Sequence, residues 1–152
     1  MSMLVDVSYF ISGPRQIRNA TTAKMPTAEG LSANNVIYGY IRSFQRKFLN
    51  DVVGFTLAGQ ITDYLEIIEN ESPKTENDTV SPYEYVCRQL RESFADYVFY
   101  HILRDMNTDA TVTGLIQLKS SNKHVSPLQR QVSTWTVSYT HLRAHETAAN
   151  LV

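Results

Sequence analysis

One stretch limits the folds open to this chain more than any other. From Ser81 the sequence reads SPYEYVCRQLRESFADYVFYHILRDMN, opening with Ser81, Pro82 and Glu84 in the order of a proline-started capping box. A helix that starts there runs to about Met106. Its apolar stripe is Val86, Cys87, Leu90, Phe94, Tyr97, Val98, His101 and Ile102. Phe99 and Tyr100 widen it until the C-terminal half is apolar nearly all round. Such a helix is either central in its domain or shared with a partner.

The segment before it supplies two more helices. In SANNVIYGYIRSFQRKFLNDVVG the apolar residues Val36, Ile37, Tyr40, Ile41, Phe44, Phe48, Leu49, Val52 and Val53 recur at three- and four-residue intervals. Ser32 or Asn34 is placed to cap the start, and Gly54 to end it. FTLAGQITDYLEIIEN follows at once with Leu57, Ile61, Tyr64, Leu65 and Ile68 on one stripe, so the turn at Gly54 predicts an antiparallel helical hairpin. ESPKTENDTV, polar and acidic, reads as a surface loop.

The ends are less strongly patterned. LVDVSYFI alternates as a short strand does, and SGPRQIRNATTAKMPTAEG after it is loop-like, so residues 1–30 form an N-terminal arm that either packs on the domain or reaches a neighbouring subunit. Beyond the long helix, residues 107–110 break the pattern and TVTGLIQLK reads as a strand with a bulge or close approach at Gly114. A lone strand needs a partner, either LVDVSYF or another copy of the chain. The candidate oligomer interface is therefore Thr111, Val112, Thr113, Gly114, Leu115 and Gln117, with Phe99 and Tyr100 of the long helix. SPLQ, from Ser126, repeats the capping pattern and starts a last helix through Val132 and Trp135.

The expected fold is mainly α, a helical hairpin plus a long central helix and a truncated fourth helix, with a minor β element. At 152 residues, 43% of them apolar and 19% charged, the chain fits one globular domain. A net charge of −1 argues against a domain devoted to neutralising phosphates. With one cysteine, Cys87, no intrachain disulfide forms. The first residues lack a basic leader, and no apolar run reaches the roughly 18 residues of a membrane span, so a cytoplasmic origin is expected.

Residues that carry chemistry are few. His101 has Arg104 and Asp105 beside it, the outline of an oriented general base, but no nucleophile or second carboxylate accompanies it, and a packed histidine is the simpler reading. His124 falls in the polar stretch SSNKHVS and reads as solvated. Cys87, on the core side of its helix, reads as a buried inert thiol. Arg42, Arg46 and Lys47 form a basic cluster, and Arg15 and Arg18 a second. A solvated helix face explains the first, and contact with nucleic acid is at most incidental. No Gly-rich phosphate loop, internal repeat or CxxC pair is present, and no cofactor is expected.

The final stretch, VSYTHLRAHETAANLV, places His141, His145 and Glu146 at a spacing that suggests zinc. It resembles something else. VSYTHLRAHE is similar to one reading frame of the transposase-insertion adapter of tagmentation sequencing libraries, whose next two bases open the codon of Thr147. Variable index bases then complete Thr147, encode Ala148 and Ala149 and begin Asn150. The fixed adapter bases that follow complete Asn150 and give Leu151 and Val152. The resemblance implies that residues 137–152 are a non-native tail and that the reading frame is a truncated metagenomic one. His141, His145 and Glu146 then carry no metal chemistry.

A second resemblance covers about Val36 to Trp135. A helix closing in KFLNDVVG, a short second helix, the long helix, TVTGLIQLK and SPLQRQVSTW follow the order found in the small head-to-tail connector (neck) proteins of tailed phages and prophages. Val53 and Gly54 stand where that family has Leu-Gly, Tyr64 and Leu65 fill its second-helix pattern, and Thr111 and Gly114 match its T..G step. The chain departs from the family in its proline-containing arm and its C-terminus. The resemblance implies a helical adaptor spanning residues 31–136, without catalytic residues. Such an adaptor assembles in the bacterial cytoplasm as a homo-oligomeric ring between portal and tail proteins of a virion. The alternatives are a small cytoplasmic enzyme with its site near His101, Arg104 and Asp105, or a nucleic-acid-binding helical domain using Arg42, Arg46 and Lys47.

Overall fold

The computed structural model describes residues 2–70, 81–106, 108–111, 114–117 and 128–149. The expected acidic loop at 71–80, His124 and the cap at Ser126 lie outside the described residues. The elements are helices α1 (Ala28–Val53), α2 (Phe55–Asn70), α3 (Pro82–Asp105) and α4 (Leu128–Ala149), with strands β1 (Thr108–Thr111) and β2 (Gly114–Gln117) between α3 and α4. The fold is mainly α.

Local chemistry sets the helix ends. α1 starts earlier than Ser32 or Asn34 because the Thr27 hydroxyl accepts a hydrogen bond from the Gly30 N–H at 3.2 Å and satisfies one of the orphan donors of the first turn. Asn34 instead holds the chain before the helix, its amide donating to the Thr21 carbonyl at 2.8 Å. At the other end Gly54 adopts φ +80°, its N–H donating to the Asn50 carbonyl, and α2 begins at the next residue. For α3 the Ser81 hydroxyl accepts from the Tyr83 N–H and Pro82 occupies the first turn. Glu84 does not close the box reciprocally, because its carboxylate is engaged by Arg91 at 3.1 Å.

α3 is the central element. Cys87, Leu90, Phe94, Val98, Phe99 and Ile102 are all buried, covered by α1, α2, α4 and the N-terminal segment, which accounts for its apolar girth within one chain. From α1 the core takes Ile37, Ile41, Phe48 and Leu49, and from α2 Ala58, Ile61 and Leu65. Two expected core positions point outward instead, Val36 and Ile68.

The expected N-terminal strand is a correction. Val7–Phe10 is a 3-10 turn whose start is fixed by Asp6, the carboxylate accepting from the Ser8 N–H at 2.8 Å. Leu4, Val5, Val7 and Phe10 all reach the same interior, which a period-two strand cannot achieve. A second 3-10 turn, Gly13–Arg15, follows.

The single strand expected at TVTGLIQLK is also corrected. β1 and β2 pair with each other, antiparallel, in the register Thr108↔Gln117, Asp109↔Ile116, Ala110↔Leu115 and Thr111↔Gly114. Gly114 therefore opens β2 rather than bulging a longer strand, and neither strand pairs with residues 4–10.

Candidate assembly surface

α4 lies on α3 in an unusual orientation. Among its residues with described side chains only Thr134 and Ser138 are buried, and these stand one turn apart. Both use their hydroxyls locally. Thr134 donates to the Arg130 carbonyl one turn back at 2.7 Å, and Ser138 donates to the Ser93 carbonyl of α3 at 3.1 Å. Leu128, Val132 and Trp135, spaced by four and three residues on one face, are instead 61%, 57% and 47% exposed. An amphipathic helix normally turns its apolar stripe inward. Here small hydroxyl residues make the buried contact, Leu128 and Val132 face out, and Trp135 is left half-exposed at the edge.

Other apolar side chains are exposed on the remaining helices. Leu31 and Val36 lie on α1, Phe55 and Ile67 on α2, and Met106 just beyond α3. Val36 and Met106 line an open cleft of about 530 Å³ with Ile17, Arg18, Glu29 and Ile102. A smaller groove of about 210 Å³, bounded by Phe48, Val52, Tyr97, Trp135, Ser138 and Tyr139, has two of its walls in the adapter-like stretch.

Behind α4 runs an aromatic cluster. Trp135 lies 5.2 Å from the ring of Tyr100 and 6.3 Å from that of Tyr97. Both tyrosines pack on His101, which stacks on Phe44 of α1 at 3.9 Å with the rings 16° apart. Burial, with Arg104 next, pushes the His101 imidazole below its ordinary pKa, and its Nδ1 is buried without a hydrogen-bond partner. Asp105 does not orient that nitrogen. Arg104 donates to it at 2.8 Å and the Tyr40 hydroxyl at 3.2 Å. Burial raises the Asp105 carboxyl, but these contacts outweigh it and hold the group below its ordinary value. The outline of a general base thus resolves into an aromatic packing residue beside an ion pair.

The other sequence candidates separate. Phe99 is 2% exposed, with the Arg130 guanidinium 4.8 Å over its ring, so it is a core side chain rather than part of an open interface. Tyr100 is half-buried against Trp135. Thr111, Gly114, Leu115 and Gln117 lie in the β-hairpin, whose backbone alone is described, and Val112 and Thr113 lie outside the described residues. Arg42, Arg46 and Lys47 are exposed, Lys47 pairing with Asp51 at 3.0 Å. Cys87 is buried, and burial, with the Glu84 charge next, raises its thiol pKa. Among the described residues no group of three or more His, Cys, Asp or Glu is arranged to hold a metal, and no helix is long and apolar enough to cross a membrane.

Sequence reasoning missed Gln45 and placed Arg15 in a basic cluster with Arg18, not in an ion pair with α3. The Gln45 side chain, 1% exposed, accepts from the Leu4 N–H at 2.7 Å and donates to the Ser2 carbonyl at 2.9 Å. Arg15 reaches Glu92 and Asp96 of α3, the latter at 3.2 Å. One signal was available: Gln45 falls on the α1 stripe midway between Ile41 and Phe48, a polar residue at a core position. Comparison with family models, curated proteins and solved structures gives no match for this chain.

Proposed function

We propose that this chain is a non-catalytic structural subunit that assembles with copies of itself. Within that class, the reading that fits its sequence resemblance is a head-to-tail connector, a homo-oligomeric ring joining the portal and tail proteins of a tailed phage. The observation that carries the proposal is the inverted packing of α4. Leu128, Val132 and the outer side of Trp135 leave apolar surface exposed to solvent, and such surface is commonly covered by another protein. All three exposed residues precede Val137, whereas Ser138, one of the two buried hydroxyl residues that set the orientation of α4, lies in the adapter-like stretch. Exposed Leu31, Val36, Phe55 and Met106 supply further apolar surface on other sides, as a ring subunit with two neighbours requires.

Sedimentation velocity over a hundredfold range of concentration tests the reading. The expected result is a closed oligomer that dissociates on dilution and is lost in the Val132→Asp, Trp135→Asp double variant. A single monomeric species at every concentration overturns it.

A further inference from the structure

His101 lies between α3 and α1. From α1 it receives the Phe44 ring at 3.9 Å, with Lys47 and Tyr40 as the nearest titratable groups on that side. Its own helix contributes Tyr97 and Tyr100 edge-on, and then Arg104 and Asp105. On the α4 side Trp135, which does not titrate, packs on Tyr97 and Tyr100, and Arg130 lies over Phe99. The charges near the imidazole are therefore two cations, each already paired with a carboxylate: Lys47 with Asp51, and Arg104 with Asp105, which also accepts from Tyr40.

A neutral ring suits this place and a charged one does not. Proton uptake would put an N–H on both nitrogens, and the buried Nδ1 has no acceptor. The attraction of an imidazolium for the face of Phe44 works the other way, but is smaller than the penalty of an unpaired buried donor.

We propose that His101 is an acid-sensitive latch between α1 and α3, closed when the imidazole is neutral and stacked on Phe44 and loosened when it takes up a proton. Burial and Arg104 lower its pKa, in line with this geometry. In the unfolded chain the imidazole titrates near the ordinary value of 6.5. Below that pH the unfolded state binds the proton first, so stability is complete above 6.5 and declines as pH falls towards the lower folded-state value. Because Trp135 touches Tyr97 and Tyr100, its fluorescence reports on the same cluster.

The test uses the full chain between pH 8 and pH 5. It combines urea unfolding, Trp135 emission and NMR titration of the histidine ring protons, with His101 assigned by its absence in His101→Gln. His101 is expected to titrate below 6.5. The unfolding equilibrium constant of the parent chain is expected to rise by up to about tenfold per pH unit below that point. In His101→Phe, which keeps the stack and cannot take a proton, that component of the slope should vanish. A His101 titrating at or above 6.5, or an unchanged slope in His101→Phe, overturns the proposal. Should His101→Phe fail to fold, His101→Gln supplies the stability comparison, and the titration of the parent chain decides by itself.

Discussion

The two ends of the chain both rest on α3, yet by opposite means. The N-terminal segment sends Leu4, Val5, Val7 and Phe10 into the core, each 3% exposed or less, and ties its backbone down through Gln45 and Arg15. Among its described side chains, α4 buries two hydroxyl residues and leaves Leu128 and Val132 facing outward. One end behaves as part of the core and the other as a lid of hydroxyl contacts with a second apolar face to spare. What integrates a segment is the apolar surface it removes from water and the pairing of the polar groups it buries with it, not its place in the sequence or the strength of its local periodicity.

That contrast predicts a graded series of substitutions, each read by urea unfolding. Phe10→Ala should be the most damaging, at about 3–5 kcal/mol, because it leaves a cavity among fully buried neighbours. A value near zero would return the segment to the status of a loose arm. Gln45→Ala should cost about 1–3 kcal/mol by stranding the Leu4 N–H and the Ser2 carbonyl. Ser138→Ala removes only a second donor to a helical carbonyl of α3, and about 0.5–1 kcal/mol is expected. Tyr139→Ser, on the exposed side of α4, should fall within about 0.5 kcal/mol of the parent chain. Inversion of this order would mean that α4, not the N-terminal segment, completes the core.

Much of the helical part of this arrangement is legible in the sequence. The stripe of α1, the break at Gly54 and the Ser81–Pro82 start of α3 follow from periodicity and capping, which act over a few residues. What escaped depends on contacts across the chain. Leu4 and Phe10 alternate with polar residues as in a strand, and only the cavity between α1 and α3 decides that all the apolar ones turn the same way. Gln45 looks like one more polar residue until its two backbone partners, forty residues earlier, are in place. TVTGLIQLK has the propensity of a strand throughout, so nothing local separates β1 from β2 except Gly114. Of the candidate surface, the sequence placed Trp135 on a helix but not on its outer side, since whether a stripe faces inward is settled by what α3 already offers.

The alternatives make smaller claims on the same residues. A solvated basic face predicts that DNA affinity, if measurable, is weak and little altered by Arg42→Ala with Arg46→Ala. Tight binding that falls steeply with salt would favour a nucleic-acid interface instead.

The adapter reading of the stretch from Val137 bears on how much of α4 belongs to this contrast. If VSYTHLRAHETAANLV is adapter-derived, selection shaped the N-terminal segment and α4 up to Thr136 and nothing after it. The direct measurement is to sequence the same locus from genomic DNA that has not been fragmented by transposase. The account predicts a reading frame that matches this one through Thr136 and then diverges. The same sixteen residues in an independent clone would contradict it, and would restore His141, His145 and Glu146 as residues of the natural protein.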